Sequence, residues 1–256
     1  MSKFMSKFMS KSIMNTTLNY SPNFDVKKRK VKEIKFIIFH YTGMKKQNQA
    51  INRLTDTKSK VSSHYLIKNN GEILTLVPDL YVAWHAGVSS WKNYKSINKY
   101  SIGIEISNPG HEYSYKNFSK KQIKSILKLS TYLRKKYKIK SNFILGHSDI
   151  APDRKKDPGE KFPWKYLSKN KIGYWHNLNE KKLFKKRNQT VDKLEIKKFI
   201  TNLYKIGYQK NILFNKYKYS KLLTTAFQRR FRQKLVNGII DQECLFISNK
   251  LAKKLK

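Results

Sequence analysis

Apolar positions fall into short runs divided by polar turns, and their spacing lengthens beyond residue 190. Lys35-Phe36-Ile37-Ile38-Phe39 reads as a strand covered on both faces. It runs into His40-Tyr41-Thr42-Gly43, which places a histidine at a strand end beside a turn. Ala50 to Lys58 predicts a short helix. His64-Tyr65-Leu66-Ile67 and Glu72 to Val77 flank Asn69-Asn70-Gly71 and predict a β-hairpin. Ala83 to Trp91 is a loop of aromatic and small residues. Ile102, Ile104 and Ile106 alternate with Gly103 and Glu105, as in a strand with its isoleucines on one face. Ser119-Lys120-Lys121-Gln122 has the form of a capping box. It opens a helix that turns Ile123, Ile126, Leu127 and Leu133 inward. Asn142 to Leu145 predicts a further short strand, delivering His147.

Past Trp164 the character changes. Residues 177–189 are charged and read as a linker. Ile196, Phe199, Ile200 and Leu203 then recur at helical spacing, and Gly207 ends that helix. Leu223, Ala226, Phe227 and Phe231 form a second apolar stripe. Asn237-Gly238 makes a turn, and Asp241 caps a third helix ending near Leu255. Residues 190–256 thus predict a three-helix module near the lower size limit for independent folding.

With 256 residues, 39% of them hydrophobic, the chain can build a sizeable core. No apolar stretch reaches the ~20 residues of a membrane span. Residues 1–25 carry the repeat MSKF-MSKF-MSK and are expected to be flexible; lysines interrupt any continuous apolar signal segment. The single cysteine, Cys244, excludes an internal disulfide framework and a cysteine-based metal site. Lys and Arg number 56 against 16 Asp and Glu, a net charge of +40. Such a field attracts polyanions: nucleic acid, anionic lipid or an anionic wall polymer. The excess is spread along the whole chain among abundant Asn, Ile and Tyr, as biased composition would produce, and no nucleic-acid motif accompanies it.

The densest chemistry lies in Gly146–Trp164, GHSDIAPDRKKDPGEKFPW. His147, Asp157 and Lys155 lie on a segment that Pro152, Pro158 and Gly159 force to turn. With His40 this gives a His₂-Asp set, and zinc hydrolases commonly use three protein ligands. Glu105 is the candidate proton carrier and Lys155 the candidate oxyanion stabiliser. On spacing alone, Asp149 and Asp153 rival Asp157, and His64 and His85 rival the two histidines.

The ordered set FIIFHYT (36–42), SSHYLI (62–67), AWHAGVSSW (83–91), IGIEISNPG (102–110) and the 146–164 segment resembles the zinc N-acetylmuramoyl-L-alanine amidases of the AmpD/AmiD type, over roughly residues 20–176. Peptidoglycan recognition proteins are more distant members. The resemblance implies an α/β fold with a mixed central β-sheet flanked by helices, over residues 26–176. It implies one Zn²⁺ on His40, His147 and Asp157, with Glu105 and Lys155 catalytic. His64, His85, Ala86 and Asn108 become expected substrate contacts on the cleft wall. The implied reaction is hydrolysis of the amide between the lactyl group of N-acetylmuramic acid and L-alanine, in muropeptides or peptidoglycan. Thr225 to Phe231 and Gly238 to Asp241 are similar to the three-helix peptidoglycan-binding domain. That module points to the periplasm or cell envelope rather than the cytoplasm, and the chain is expected to be a monomer. Two other readings are a peptidoglycan-binding protein without catalysis and, from charge alone, a nucleic-acid-binding protein.

Overall fold

The computed structural model describes residues 16–210 and 215–254. Its strands are Thr17–Leu18 (β1), Phe24–Asp25 (β2), Phe36–Tyr41 (β3), Tyr65–Ile67 (β4), Ile73–Thr75 (β5), Val82–Ala83 (β6), Ser90–Trp91 (β7), Tyr94–Lys95 (β8), Ser101–Ile106 (β9) and Ile144–Gly146 (β10). The α-helices are Gln47–Thr55 (α1), Lys120–Lys136 (α2), His147–Ile150 (α3), Trp164–Lys169 (α4), Glu180–Lys186 (α5), Lys193–Ile206 (α6), Lys216–Phe231 (α7) and Gln242–Lys254 (α8).

Six strands form one mixed sheet in the order β1-β5-β4-β9-β3-β10. β3 pairs in parallel with both β9 and β10, and β4 pairs antiparallel with β5 in the expected hairpin. Phe36 to Phe39 are all buried, which fits a central strand covered on both faces. α2 packs Ile126, Leu129 and Leu133 into the core, and Phe162 and Trp164 meet Phe39. Ser119 caps α2: its hydroxyl accepts from the Gln122 N–H, and the Gln122 side chain accepts from the Ser119 N–H. The inward stripe of α2 is rotated slightly from the expected one. Leu129 joins it, while Ile123 and Leu127 are only half-buried.

Other expectations shift. The first helix begins earlier than Ala50 and ends at Thr55, before the one-turn 3₁₀ segment Thr57–Ser59. Residues 16–25, expected as part of a flexible start, pair with the fold: β1 lines up with β5 and β2 with β6. Asn23 is buried, and its amide donates to the carbonyls of Asp56 and Val61. The rest of that segment, 1–15, lies outside the described residues. Within 177–189, expected as a linker, α5 buries Leu183, and Arg187 makes a two-pronged pair with Glu243 of α8 at 2.6 and 2.8 Å.

The last three helices share a core in which Phe199 meets Phe227, and Phe227 meets Phe231. This core is continuous with that of the sheet. Tyr208 packs edge-on against Trp91, and the Gly207 carbonyl accepts from the Lys92 N–H at 2.8 Å. Gly207 has φ +144°, and a β-carbon there would lie 2.3 Å from the Trp91 ring. Glycine permits both the backbone angle and the close approach.

Candidate metal centre and cleft

β3 and β10 run side by side in parallel, so they bring His40 and His147 to the same end of the sheet. His40 is the fifth residue of β3, and His147 opens the helical turn α3 directly after β10. The following loop returns Asp157 to them, held by a Ser148 N–H to Asp157 C=O bond of 2.8 Å. His40 Nδ1, His147 Nδ1 and Asp157 Oδ2 then form a triangle with every side 3.0 Å. All three residues are buried.

The surrounding hydrogen bonds fix which atoms carry protons. The Ser101 hydroxyl donates to the Ile97 carbonyl at 2.7 Å, so its oxygen accepts from His85 Nε2–H at 3.1 Å. His85 Nδ1 is therefore an acceptor and takes the His40 Nε2–H at 3.0 Å. This leaves a lone pair on His40 Nδ1. His147 Nε2–H donates to the Ala86 carbonyl at 3.1 Å, leaving a lone pair on His147 Nδ1 as well. Burial holds the His40 imidazole down at about 4, reinforced by His147, so it stays neutral. Asp157 presents its carboxylate Oδ2 to both of these Nδ1 nitrogens. Two lone pairs and an anionic oxygen thus converge with no proton among them. Such an arrangement is repulsive unless a cation occupies its focus, and orientation of each ring by its other nitrogen is typical of metal-binding histidines. The residues fit a metal ion.

The centre forms the floor of a cleft of about 320 Å³. Glu105, on β9, stands opposite His40 in the strand register. Its Oε2 is shut off from solvent and has no hydrogen-bond partner. Burial, then the Asp157 charge, raises the Glu105 carboxyl to about 8 against the opposing pull of Lys155. Lys155 lines the cleft with Arg53, Arg154 and Lys156, giving it a cationic wall.

Of the four expected substrate contacts, His85 alone lines the cleft. Its ring is engaged between His40 and Ser101. Gly103 makes room for it, since a β-carbon there would lie 2.5 Å from the ring. His64 does not line the cleft. It is fully buried next to the His85 ring, where Nδ1 accepts from the Gly103 N–H and Nε2 donates to the Tyr81 carbonyl, each at 3.0 Å. These bonds hold its ring inside the protein rather than on the cleft wall. Ala86 is buried as well and offers its carbonyl to His147. Asn108 is buried within its own loop, donating to the Lys116 carbonyl and accepting from the Gly110 N–H. Asp149 points away from the centre toward Arg230, and Asp153 lines a different groove. Sequence reasoning missed Ser101, whose part depends on its pairing with His85; nothing in its local sequence marks it.

The sheet order, the three-donor centre and the carboxyl beside it define a class. The chain belongs to the N-acetylmuramoyl-L-alanine amidase family (Amidase_2), which its residues 30–160 match. Within that family, the N-acetylmuramoyl-L-alanine amidase AmiD of Escherichia coli K12 is 33% identical over 233 residues, covering 86% of this chain and 83% of AmiD. A solved structure of E. coli AmiD with anhydro-N-acetylmuramic acid-L-Ala-D-γ-Glu-L-Lys superposes with a TM-score of 0.76, covering 87% of this chain and 90% of that one. AmpDh3 of Pseudomonas aeruginosa superposes at 0.75 with 28% identity, covering 94% of this chain and 99% of AmpDh3. The 1,6-anhydro-N-acetylmuramyl-L-alanine amidase AmpD of Haemophilus influenzae is 32% identical over 58% of this chain and 88% of its own length. No described helix is long and apolar enough to cross a membrane.

Proposed function

We propose that this chain is a zinc-dependent amidase that cleaves the bond between the lactyl group of N-acetylmuramic acid and L-alanine. Its substrates are peptidoglycan fragments, including 1,6-anhydro-muropeptides, in wall turnover or recycling. The observation that carries the reading is the 3.0 Å triangle of unprotonated donors beside an unpartnered Glu105 carboxyl. Zinc in tetrahedral coordination at roughly 2.0–2.1 Å from nitrogen and oxygen spaces its donors about 3.3 Å apart. The triangle matches that spacing to within a few tenths of an ångström, and His-His-carboxylate is a common zinc set. Zinc, when bound there, supplies a Lewis acid that brings the pKa of water toward ~7 and polarises a carbonyl.

The chain's own residues supply the rest. His40, His147 and Asp157 hold the metal, and His85 and the Ala86 carbonyl hold the two rings in the required tautomers. Glu105 takes a proton from the attacking water and returns it to the leaving amine nitrogen. A carboxyl raised by burial is poised for such transfer near neutral pH, and a cation at the neighbouring centre moves it back toward neutrality from above. The Lys155 ammonium stabilises negative charge developing on the carbonyl oxygen. The cationic wall suits the carboxylates of a stem peptide, as in the ligand bound to E. coli AmiD. Residues 190–256 serve as the wall-binding module.

The test is mass-spectrometric detection of free stem peptide after incubating zinc-loaded protein with anhydro-N-acetylmuramyl-tripeptide. Release of a peptide with an intact L-alanine terminus supports the reading. A zinc-loaded protein that leaves the amide uncut overturns it.

A further inference from the structure

Asp149 stands third in the helical turn that His147 begins, and it is 1% exposed. One of its oxygens, Oδ2, accepts from the Gly146 N–H at 2.8 Å, pinning the start of that turn. The other, Oδ1, accepts from the Tyr208 hydroxyl at 2.9 Å. Its charge is met by Arg230, itself 1% exposed, in direct contact with Oδ2. Arg230 also donates to the Ile144 carbonyl at 3.0 Å, at the first residue of β10. Its guanidinium lies 4.2 Å from the Trp164 ring centre and 4.8 Å from that of Tyr174. Tyr208 follows α6 and Arg230 sits in α7, so both partners come from the last 67 residues of the sequence rather than from the sheet. Among the described residues, Asp149 has no other ion pair.

We infer that Arg230 is a positioning residue for the metal centre: by neutralising and clamping Asp149 it holds the β10–α3 junction, and with it the ring of His147. The inference rests on the reading of His147 as a metal ligand. It makes the C-terminal helices part of the scaffold of the centre, beyond any role in holding the wall. The physical ground is asymmetric. A buried ion pair adds little net stability over an apolar replacement, but removing one partner strands a buried charge and forces the surroundings to rearrange. Here the stranded carboxylate would sit two residues from His147, on the turn that aims it. Partners one step removed from a metal commonly change its affinity by 10–100-fold.

The test titrates full-length, metal-free protein with cobalt(II), reading affinity and the visible absorption that reports coordination geometry. The wild type should bind one equivalent. Arg230→Met should lose at least 10-fold in affinity and show an altered spectrum. The double variant Asp149→Asn with Arg230→Met, which leaves no buried charge, should recover most of the loss. Leu203→Ala, which loosens the same helices without touching Asp149, should keep wild-type affinity and spectrum. If Arg230→Met does not fold, Tyr208→Phe removes one bond to Asp149 and should give a smaller loss with the same spectral change. Wild-type cobalt binding in Arg230→Met or in its Tyr208→Phe substitute, or an equal loss in Leu203→Ala, overturns the inference. A wild-type chain that binds no cobalt overturns the metal reading itself, and this inference with it.

Discussion

His64 makes the fold sensitive to acid, and its surroundings give the size of the effect. Burial, followed by the Arg29 charge, holds its imidazole down at about 3, while Asp79 and the bond to the Tyr81 carbonyl pull weakly the other way. The His85 ring lies 5.7 Å away and is itself held neutral. In the unfolded chain the same group titrates near its usual value of about 6.5. Between these values the unfolded state binds more protons than the folded one, so stability falls as pH drops through ~6.5 and levels off below ~3. From pH 7 to pH 5 this amounts to about 2 kcal/mol, at 1.36 kcal/mol per pH unit. That is a large share of a typical 5–15 kcal/mol. The perturbation is His64→Gln, an amide that keeps an acceptor for the Gly103 N–H and a donor for the Tyr81 carbonyl but does not titrate. Urea unfolding of both proteins at pH 7 and pH 5 isolates the term, because other groups and the metal contribute equally to each. The wild type should lose about 2 kcal/mol more than the variant. Equal losses would refute the claim that His64 is buried neutral.

The remaining expectations concern the centre. Glu105→Gln should bind zinc as the wild type does and lose roughly 10²–10⁴-fold in kcat on a muropeptide; loss of the metal instead would make Glu105 a ligand. Asp157→Ala should fail to retain stoichiometric zinc through gel filtration, and a fully loaded variant would contradict the triangle. Ser101→Ala leaves His85 Nε2–H without an acceptor and frees its tautomer, so zinc affinity measured by chelator competition should fall about 10-fold. Gly103→Ala, forced against the His85 ring, should lower affinity further, and unchanged affinity would show that the ring has no part in fixing His40.

Much of the catalytic sheet was legible because its signals are local. The Phe36–Phe39 run, the Ile102–Ile106 alternation and the Ser119–Gln122 cap each state their structure within a few residues. His40 and His147, which the fold brings together, stood out for a similar reason, since strand ends open onto clefts. What escaped was direction and partnership. His64 and His85 both lie near strands among small residues, and pattern alone does not say that one reaches the cleft and the other stays buried beside it. Asp149, Asp153 and Asp157 lie within nine residues of one another, and the choice among them depends on contacts with β3 and α7 that are distant in sequence. Leu183 escaped because one apolar residue in a charged segment carries little periodic signal, although it is enough to seat a short helix.

The meeting of Gly207 with Trp91 bears on how such chains can be recombined. A module on a free tether can be exchanged like a cassette, because its neighbour does not register the change. Here the seam is interlocked: an indole occupies space that any side chain at position 207 would need, and the backbone of one half bonds to that of the other. A foreign helical segment grafted after residue 190 would have to bring the glycine, the tyrosine after it and the arginine of the next helix together. Interchange of this half between relatives is therefore confined to those that share the seam, whatever their surfaces bind.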